Sequence, residues 1–327
     1  MMFTRRTFVA AATAAALCTA APLLHADDYP SRPIRLVVPF PPGGALDTYV
    51  RAVQQDLQSQ LGQPVIAENM PGAGGMIGAV AVARSKPDGY TLMAAPIQTL
   101  SINAAVYPKI SYDPLQDFIP VVQTIRVNYI LAVHPSLPVK TVPELIAYAK
   151  ANPGKVSYAT SGSGSAQHMA VALLQAKAGL DLLHVPYKGM GPAVTDLIGG
   201  QVNMTIADEA SLMPHVKSGK LRALAVAGRK HSTQLPDLPT IAEAANLPDY
   251  EAVAWQGIVA PAGTPAHIIQ RVNDAFNKVQ AMPAVSERLK QLGFEPVGGS
   301  PDAFRQYLVA DIAKWKKVAR DENIKAE

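Results

Sequence analysis

The chain has 327 residues, 49% hydrophobic and 17% charged, with a formal net charge of +4 and a pI near 9.0. This balance excludes a disordered chain, and the length exceeds that of a usual single domain, so two domains are expected. The small positive excess forms no basic patch and gives no support for a nucleic-acid partner.

Residues 1–26 have the pattern of a targeting segment. Thr4-Arg5-Arg6-Thr7-Phe8-Val9 is a twin-arginine-like start, Val9–Leu24 is rich in Ala and Leu, and Ala26 ends a small-residue cleavage site with Leu24 at minus three. A cleaved signal peptide is expected, by the twin-arginine or the general route; an uncleaved anchor is the alternative reading. Cys18, the only cysteine, falls inside this segment. The rest of the chain therefore has neither a disulfide nor a thiolate metal site.

Ile34–Phe40 is a β-branched apolar run that ends in Pro41-Pro42-Gly43-Gly44. Ala45–Leu61 then has helical spacing, with Leu46, Tyr49, Val50, Val53 and Leu57 on one face. The unit repeats with a strand at Pro64–Glu68, a helix opening at Pro71–Gly75, and a strand at Tyr90–Ala95. Ile119–Ile125 and Tyr129–Val133 are further strands. A second set follows: helix Val142–Ala151, strand Val156–Thr160, helix Ser165–Ala178, strand Leu182–Pro186, helix Pro192–Ile198, strand Val202–Ala207, helix Ser211–Lys217 and strand Leu221–Ala227. A strand near Trp255–Ala260 and helices near Pro265–Gln280, Ala284–Leu292 and Pro301–Arg320 complete the chain. Alternating strands and helices with short glycine-rich joints predict an α/β fold of two lobes, each a mainly parallel sheet flanked by helices. The expected division is 27–124 plus 228–327 for lobe 1 and 125–227 for lobe 2, with crossings near Val122–Arg126 and Ala225–Gly228.

Two strand–loop–helix joints suit anion capture: Phe40-Pro41-Pro42-Gly43-Gly44-Ala45-Leu46-Asp47 and Ser161-Gly162-Ser163-Gly164-Ser165-Ala166-Gln167-His168. A helix start has free backbone N–H groups and partial positive charge, glycines let an anion approach, and serines add donors. For one such loop alone, a tight turn with an N-cap is the more common explanation. One loop per lobe favours a ligand bridging both. Asp208, at a strand end, either accepts a hydrogen bond from a ligand hydroxyl or amine or caps the next helix. Lys188, after Tyr187, either meets a carboxylate or is simply exposed. Trp255 and Phe40 either line the pocket or belong to the core.

Enzyme readings find little footing. Ser163 lacks the glycines at minus two and plus two of a nucleophile elbow, and His168, His184 and His215 have no paired metal-ligand spacing. Gly72-x-Gly74-x-x-x-Gly78 is dinucleotide-like, but the following strand ends at Ala95-Pro96 without the acid that would take a ribose hydroxyl. No catalytic residue, metal or cofactor is expected.

The wording of several segments resembles a known family. Tyr29-Pro30-Ser31-Arg32-Pro33-Ile34, Val38-Pro39-Phe40-Pro41-Pro42-Gly43-Gly44, Glu68-Asn69-Met70-Pro71-Gly72-Ala73-Gly74-Gly75 and Pro87-Asp88-Gly89-Tyr90-Thr91-Leu92 occur in order. His184–Gly189, Gly199–Val202, Lys220–Ala225 and Ala260–Pro265 follow. Together they are similar to the Bug-type receptors of tripartite tricarboxylate transporters. The resemblance implies a Venus-flytrap, periplasmic-binding-protein fold and a periplasmic, monomeric receptor. It also implies a small organic carboxylate as ligand and integral-membrane permease subunits as partners; a sensor role is the alternative. By resemblance the ligand site falls on Phe40, Gly43, Gly44 and Ala45 in the first loop and Ser161, Ser163, Gly164 and Ser165 in the second. Asp47, Gln98, Thr99, His168, Tyr187 and Asp208 are further candidates. Met70 and Ala172 depart from the family pattern, and Ala45-Leu46 falls at a variable position that should shape ligand choice.

Overall fold

The structure, a computed structural model, describes residues 29–326. The expected leader over 1–26 lies outside the described residues. β1 (Ile34–Val38) is the apolar run predicted. Pro39, Pro41 and Pro42 cannot extend a ladder, and Gly43, at φ 85°, turns the chain into α1 (Ala45–Leu61). α1 buries Leu46, Tyr49, Val50, Val53, Leu57 and Leu61 on one face. At about 1.5–3 kcal/mol per fully buried side chain, that face outweighs the missing side-chain cap at Gly44. Gly62, at φ 75°, ends the helix by donating its N–H to Gln58 O (2.9 Å).

β2 (Val65–Asn69), α2 (Met76–Ala83) and β3 (Thr91–Pro96) repeat the unit. Beyond β3, where no helix was expected, Gln98–Ile102 winds as a wide π turn into α3 (Asn103–Val106). β4 (Phe118–Val127) then passes through Asn128 alone into β5 (Tyr129–Val133) of a second sheet. That sheet is completed around α4 (Val142–Ala151) by β6 (Ser157–Thr160), α5 (Ala166–Ala178), β7 (Leu183–Pro186), α6 (Met190–Ile198), β8 (Met204–Asp208), α7 (Glu209–Lys217) and β9 (Arg222–Val226). The chain returns past α8 (Ile241–Ala244) to β10 (Ala254–Pro261), α9 (Ala266–Gln280), α10 (Pro283–Gln291), β11 (Phe294–Pro296) and α11 (Pro301–Asp321).

The first sheet has the order β11-β4-β10-β3-β1-β2 and the second β7-β6-β8-β5-β9. Two α/β lobes are therefore present, and in each sheet most strands run in one direction, as expected, with β10 and β11 reversed in the first sheet and β5 reversed in the second. β1 runs parallel to β2 and β3, while β10 opposes β3 and β4, and β11 opposes β4. In the second sheet β6 runs parallel to β7 and β8, while β5 opposes β8 and β9. The reason lies in the crossings. β4 and β9 end at the crevice between the lobes, so the strand that follows each, β5 or β10, starts at the crevice and runs away from it. It therefore opposes the strands whose C-terminal ends point inward.

α11 ties the lobes together. Its Phe304, Leu308 and Trp315 share one apolar core with Trp255 of the first sheet and with Tyr158 and Leu173 of the second lobe. Trp255 Nε1 donates to Asp311 Oδ2 (2.9 Å), which satisfies an indole that is wholly buried. Among the described residues no helix is long and apolar enough to cross a membrane.

Candidate functional site

The inward ends of β1, β3, β4, β6 and β8 and the starts of β5 and β10 enclose a crevice of about 460 Å³ between the lobes. Both sequence-predicted loops open onto it, as expected where strand ends of an α/β sheet meet a topological switch.

In the first loop, Gly43 N donates to Asp47 Oδ2 (3.0 Å), so this amide is already used. Asp47 also accepts from Arg51 Nε (2.8 Å) and Asn69 Nδ2 (3.0 Å), and it is 3% exposed. The Arg51 guanidinium, more than the Gly43 and Asn69 donors, holds its carboxyl down at about 2 against the opposing effect of burial. Asp47 thus braces the loop. Thr48 is the first residue whose amide closes a helical bond, onto Gly44 O (2.9 Å). The N–H groups of Ala45, Leu46 and Asp47 have no helical acceptor. All three residues line the crevice.

The second loop is built the same way. Ser165 caps α5 by accepting from His168 N (3.2 Å), and Met169 N closes the first helical bond onto Ser165 O (2.9 Å). Three amides of the loop are taken: Gly162 N by Thr160 Oγ1 (3.3 Å), Gly164 N by His168 Nδ1 (3.1 Å) and Ser165 N by Gly162 O (3.2 Å). The first-turn amides of Ala166 and Gln167 remain, and both residues line the crevice. Two helix starts, each with positive partial charge, therefore face one space.

Among the described residues no lysine, arginine or histidine lines that space. Its wall is mainly apolar, from Phe40, Pro41, Pro42, Leu46, Pro96, Ile97, Val127, Ala166, Ala254 and Trp255. Polar groups are few. Gln98 donates its amide to Asn103 Oδ1 (2.9 Å) and to Gly164 O (3.1 Å). Gln256 is 4% exposed and its Oε1 has no partner. Tyr129 and Asp208 are directly opposed on β5 and β8, which puts both side chains on one face. Burial, more than the nearby Asp208 charge, raises the Tyr129 hydroxyl well above its ordinary value. Burial likewise raises the Asp208 carboxyl, with its own backbone N–H and Gln167 acting in the opposite direction.

Of the residues singled out in the sequence, Phe40, Gly44, Ala45, Asp47, Gln98, Ser161, Ser165 and Asp208 are gathered at the crevice. Gly43 and Gly164 shape the loops behind it. Thr99 is fully buried, its Oγ1 without a partner. Ser163 and His168 border a separate hollow with His184 and Glu322. Tyr187 donates its hydroxyl to Asp196 Oδ2 (2.8 Å) within the second lobe and does not line the crevice. Sequence reasoning did not name Leu46, Tyr129, Ala166, Gln167 or Gln256 as site residues, although Leu46, Ala166 and Gln167 lie within the two joints it singled out. The first, third and fourth were accessible to it, because unused amides belong to the first helical turn and not to the glycines before it. Among the described residues no group of three metal-ligating side chains is assembled.

Residues 49–324 match the model of the tripartite tricarboxylate transporter family receptor. The chain is 40% identical to protein BugT of Bordetella pertussis over 307 residues, 94% of each chain. It is similar to a solved structure of Rpa4515 from R. palustris with adipate (TM-score 0.79, 37% identity, covering 91% of this chain and 99% of that one). It is also similar to MatC from Rhodopseudomonas palustris with bound malate (TM-score 0.75, 33% identity, covering 89% and 99%).

Proposed function

Because the chain belongs to the tripartite tricarboxylate transporter receptor family, we propose that it is an exported periplasmic receptor that captures a small organic carboxylate between its lobes and delivers it to a membrane permease. The observation that carries this reading is the pair of helix starts, at Ala45 and Ala166, whose unused amides face a single crevice lined, among the described residues, by no cationic side chain. Main-chain donors and helix dipoles can hold a carboxylate without an arginine. The apolar wall of Phe40, Pro96, Ile97 and Trp255 suits the carbon skeleton of a dicarboxylate or an aromatic acid. Binding is without chemistry, by a monomer. Lobes of 27–124 with 228–327 and of 125–227 would close on the ligand by bending near Asn128, where the chain changes sheet.

Thermal unfolding against a panel of organic acids, neutral sugars and peptides tests this. A bound acid raises stability by RT ln(1 + [L]/Kd), about 2.7 kcal/mol at a hundredfold excess over Kd. A shift with sugars or peptides and with no acid would overturn the reading.

A further inference from the structure

Building on the carboxylate-receptor reading, we propose that the crevice selects acids that also carry a hydrogen-bond donor, an amino or hydroxyl group, and that Asp208 is the residue that recognises it. The two carboxylates of the crevice are in opposite situations. Asp47 is saturated by Gly43 N, Arg51 Nε and Asn69 Nδ2. Asp208 has no Lys, Arg or His within 4.0 Å among the described residues. Its side-chain neighbour is the Gln167 amide, whose Oε1 is engaged by Ser161 Oγ (2.8 Å), which turns the NH₂ end toward the acid. An ionised carboxylate offers about four acceptor sites. Its own backbone N–H and the Gln167 amide leave acceptor capacity unused on a residue that lines the crevice.

The geometry divides the labour. The helix starts at Ala45 and Ala166 offer only donors, which suit a ligand's carboxylate. Asp208, at the inward end of β8, offers the wall an acceptor. A ligand with only carboxylates meets Asp208 as an uncompensated like charge or obliges it to take up a proton, and burial already raises this carboxyl. A ligand ammonium or hydroxyl near Asp208 turns that cost into a charge-assisted hydrogen bond. Tyr129, directly opposite Asp208, is 3% exposed and lies on the same face of the sheet.

The test is calorimetry with matched acids that differ at one carbon: succinate, malate and aspartate; phenylacetate, mandelate and phenylglycine. Within whichever set binds, a donor-bearing member should bind at least about tenfold more tightly than its parent, the worth of one charge-assisted hydrogen bond. Asp208→Ala should reduce that preference to within about threefold, and Asp208→Asn should reduce it most for the amino acid. The amino and hydroxy arms separate the two donor types. A parent acid that binds as tightly as both derivatives in the wild-type protein overturns the inference and leaves the receptor reading standing. If no acid in either set binds at millimolar concentration, the inference falls; if no acid on the wider thermal panel binds either, the receptor reading falls too. The wild-type comparison needs no variant, so an unfolded Asp208→Ala protein does not rescue the proposal.

Discussion

Gln98 Nε2 donates to Gly164 O at 3.1 Å, a direct hydrogen bond from the π turn of the first lobe to the anion loop of the second. The same amide donates to Asn103 Oδ1 (2.9 Å), which fixes its orientation. Asn103 in turn donates to Gly74 O (2.9 Å). The bond across the crevice is therefore the end of a held chain and not a chance surface contact. Gln98→Ala removes it while leaving both lobes intact. A net hydrogen bond of about 0.5–1.5 kcal/mol predicts a roughly 2- to 12-fold loss of ligand affinity. Titration calorimetry reads the affinity, and the midpoint of thermal unfolding should change little.

Asp47→Asn should weaken both fold and binding. The wild-type carboxylate accepts three hydrogen bonds, and an amide in its place sets an NH₂ either against both Gly43 N and Arg51 or against Asn69 Nδ2. The expected loss is about 1–3 kcal/mol at pH 7, kept moderate because Arg51 is half exposed to solvent. The pH dependence has a definite sign. The folded-state carboxyl titrates at about 2, below its unfolded value of 3.8. Its stabilisation is complete above 3.8 and is lost as pH falls toward 2. The gap between wild type and Asp47→Asn in thermal midpoint should therefore narrow as pH drops below 4.

His168 predicts a loss of stability at higher pH values than Asp47 does. Its ring stacks on His184 with centroids 3.8 Å apart, and its Nδ1 accepts from Gly164 N (3.1 Å). Burial first, and His184 second, lower it from 6.5 to about 4. The neutral ring is the folded form, so the unfolded chain takes up a proton sooner. Stability is full above 6.5 and falls as pH drops from 6.5 to about 4, on the order of 2 kcal/mol over that interval. His168→Gln keeps an acceptor within reach of the loop and should flatten the slope. A wild-type unfolding midpoint that is constant between pH 6.5 and 4 would refute this role.

Much of this architecture was legible in the sequence because period and punctuation agree. Leu46, Tyr49, Val50, Val53 and Leu57 announce α1, and Pro41-Pro42-Gly43-Gly44 announces the turn before it. The reversed strands were not legible. The runs Tyr129–Val133 and Trp255–Ala260 look like any buried strand, and only the position of the crossings makes β5 and β10 oppose their neighbours. The candidate site was legible as loops but less so as atoms. Glycine-rich text identifies where an anion can approach, yet Gly43, Gly162 and Gly164 use their amides internally, and the donors left over sit one turn later. Tyr129 and Gln256 leave no local signature at all. They reach the crevice because β5 and β10 begin there, a property of the topology and not of the neighbouring residues.

Gly44 and Ser163 separate the crevice from its surroundings. Gly44 has φ −77° and ψ 169°, a backbone any residue adopts, and a Cβ there would have only Pro41 O, at 3.9 Å, within 4 Å. A side chain at this position is tolerated by the fold and projects at the mouth of the α1 amides, since Gly44 lines the crevice. Gly44→Val should fold with a change of about 1 kcal/mol or less and lose ligand affinity by more than about tenfold, through crowding of the anion and desolvation of the amides. Ser163 belongs to the same sequence motif as Ser161 and Ser165 but borders the hollow shared by His168, His184 and Glu322. Ser163→Leu should therefore leave affinity within about threefold and act, if at all, on stability. Calorimetry on the two variants reads the difference directly. Equal losses at both positions would mean that the ligand lies against the back of the second loop, and the crevice between Ala45 and Ala166 would no longer be the site.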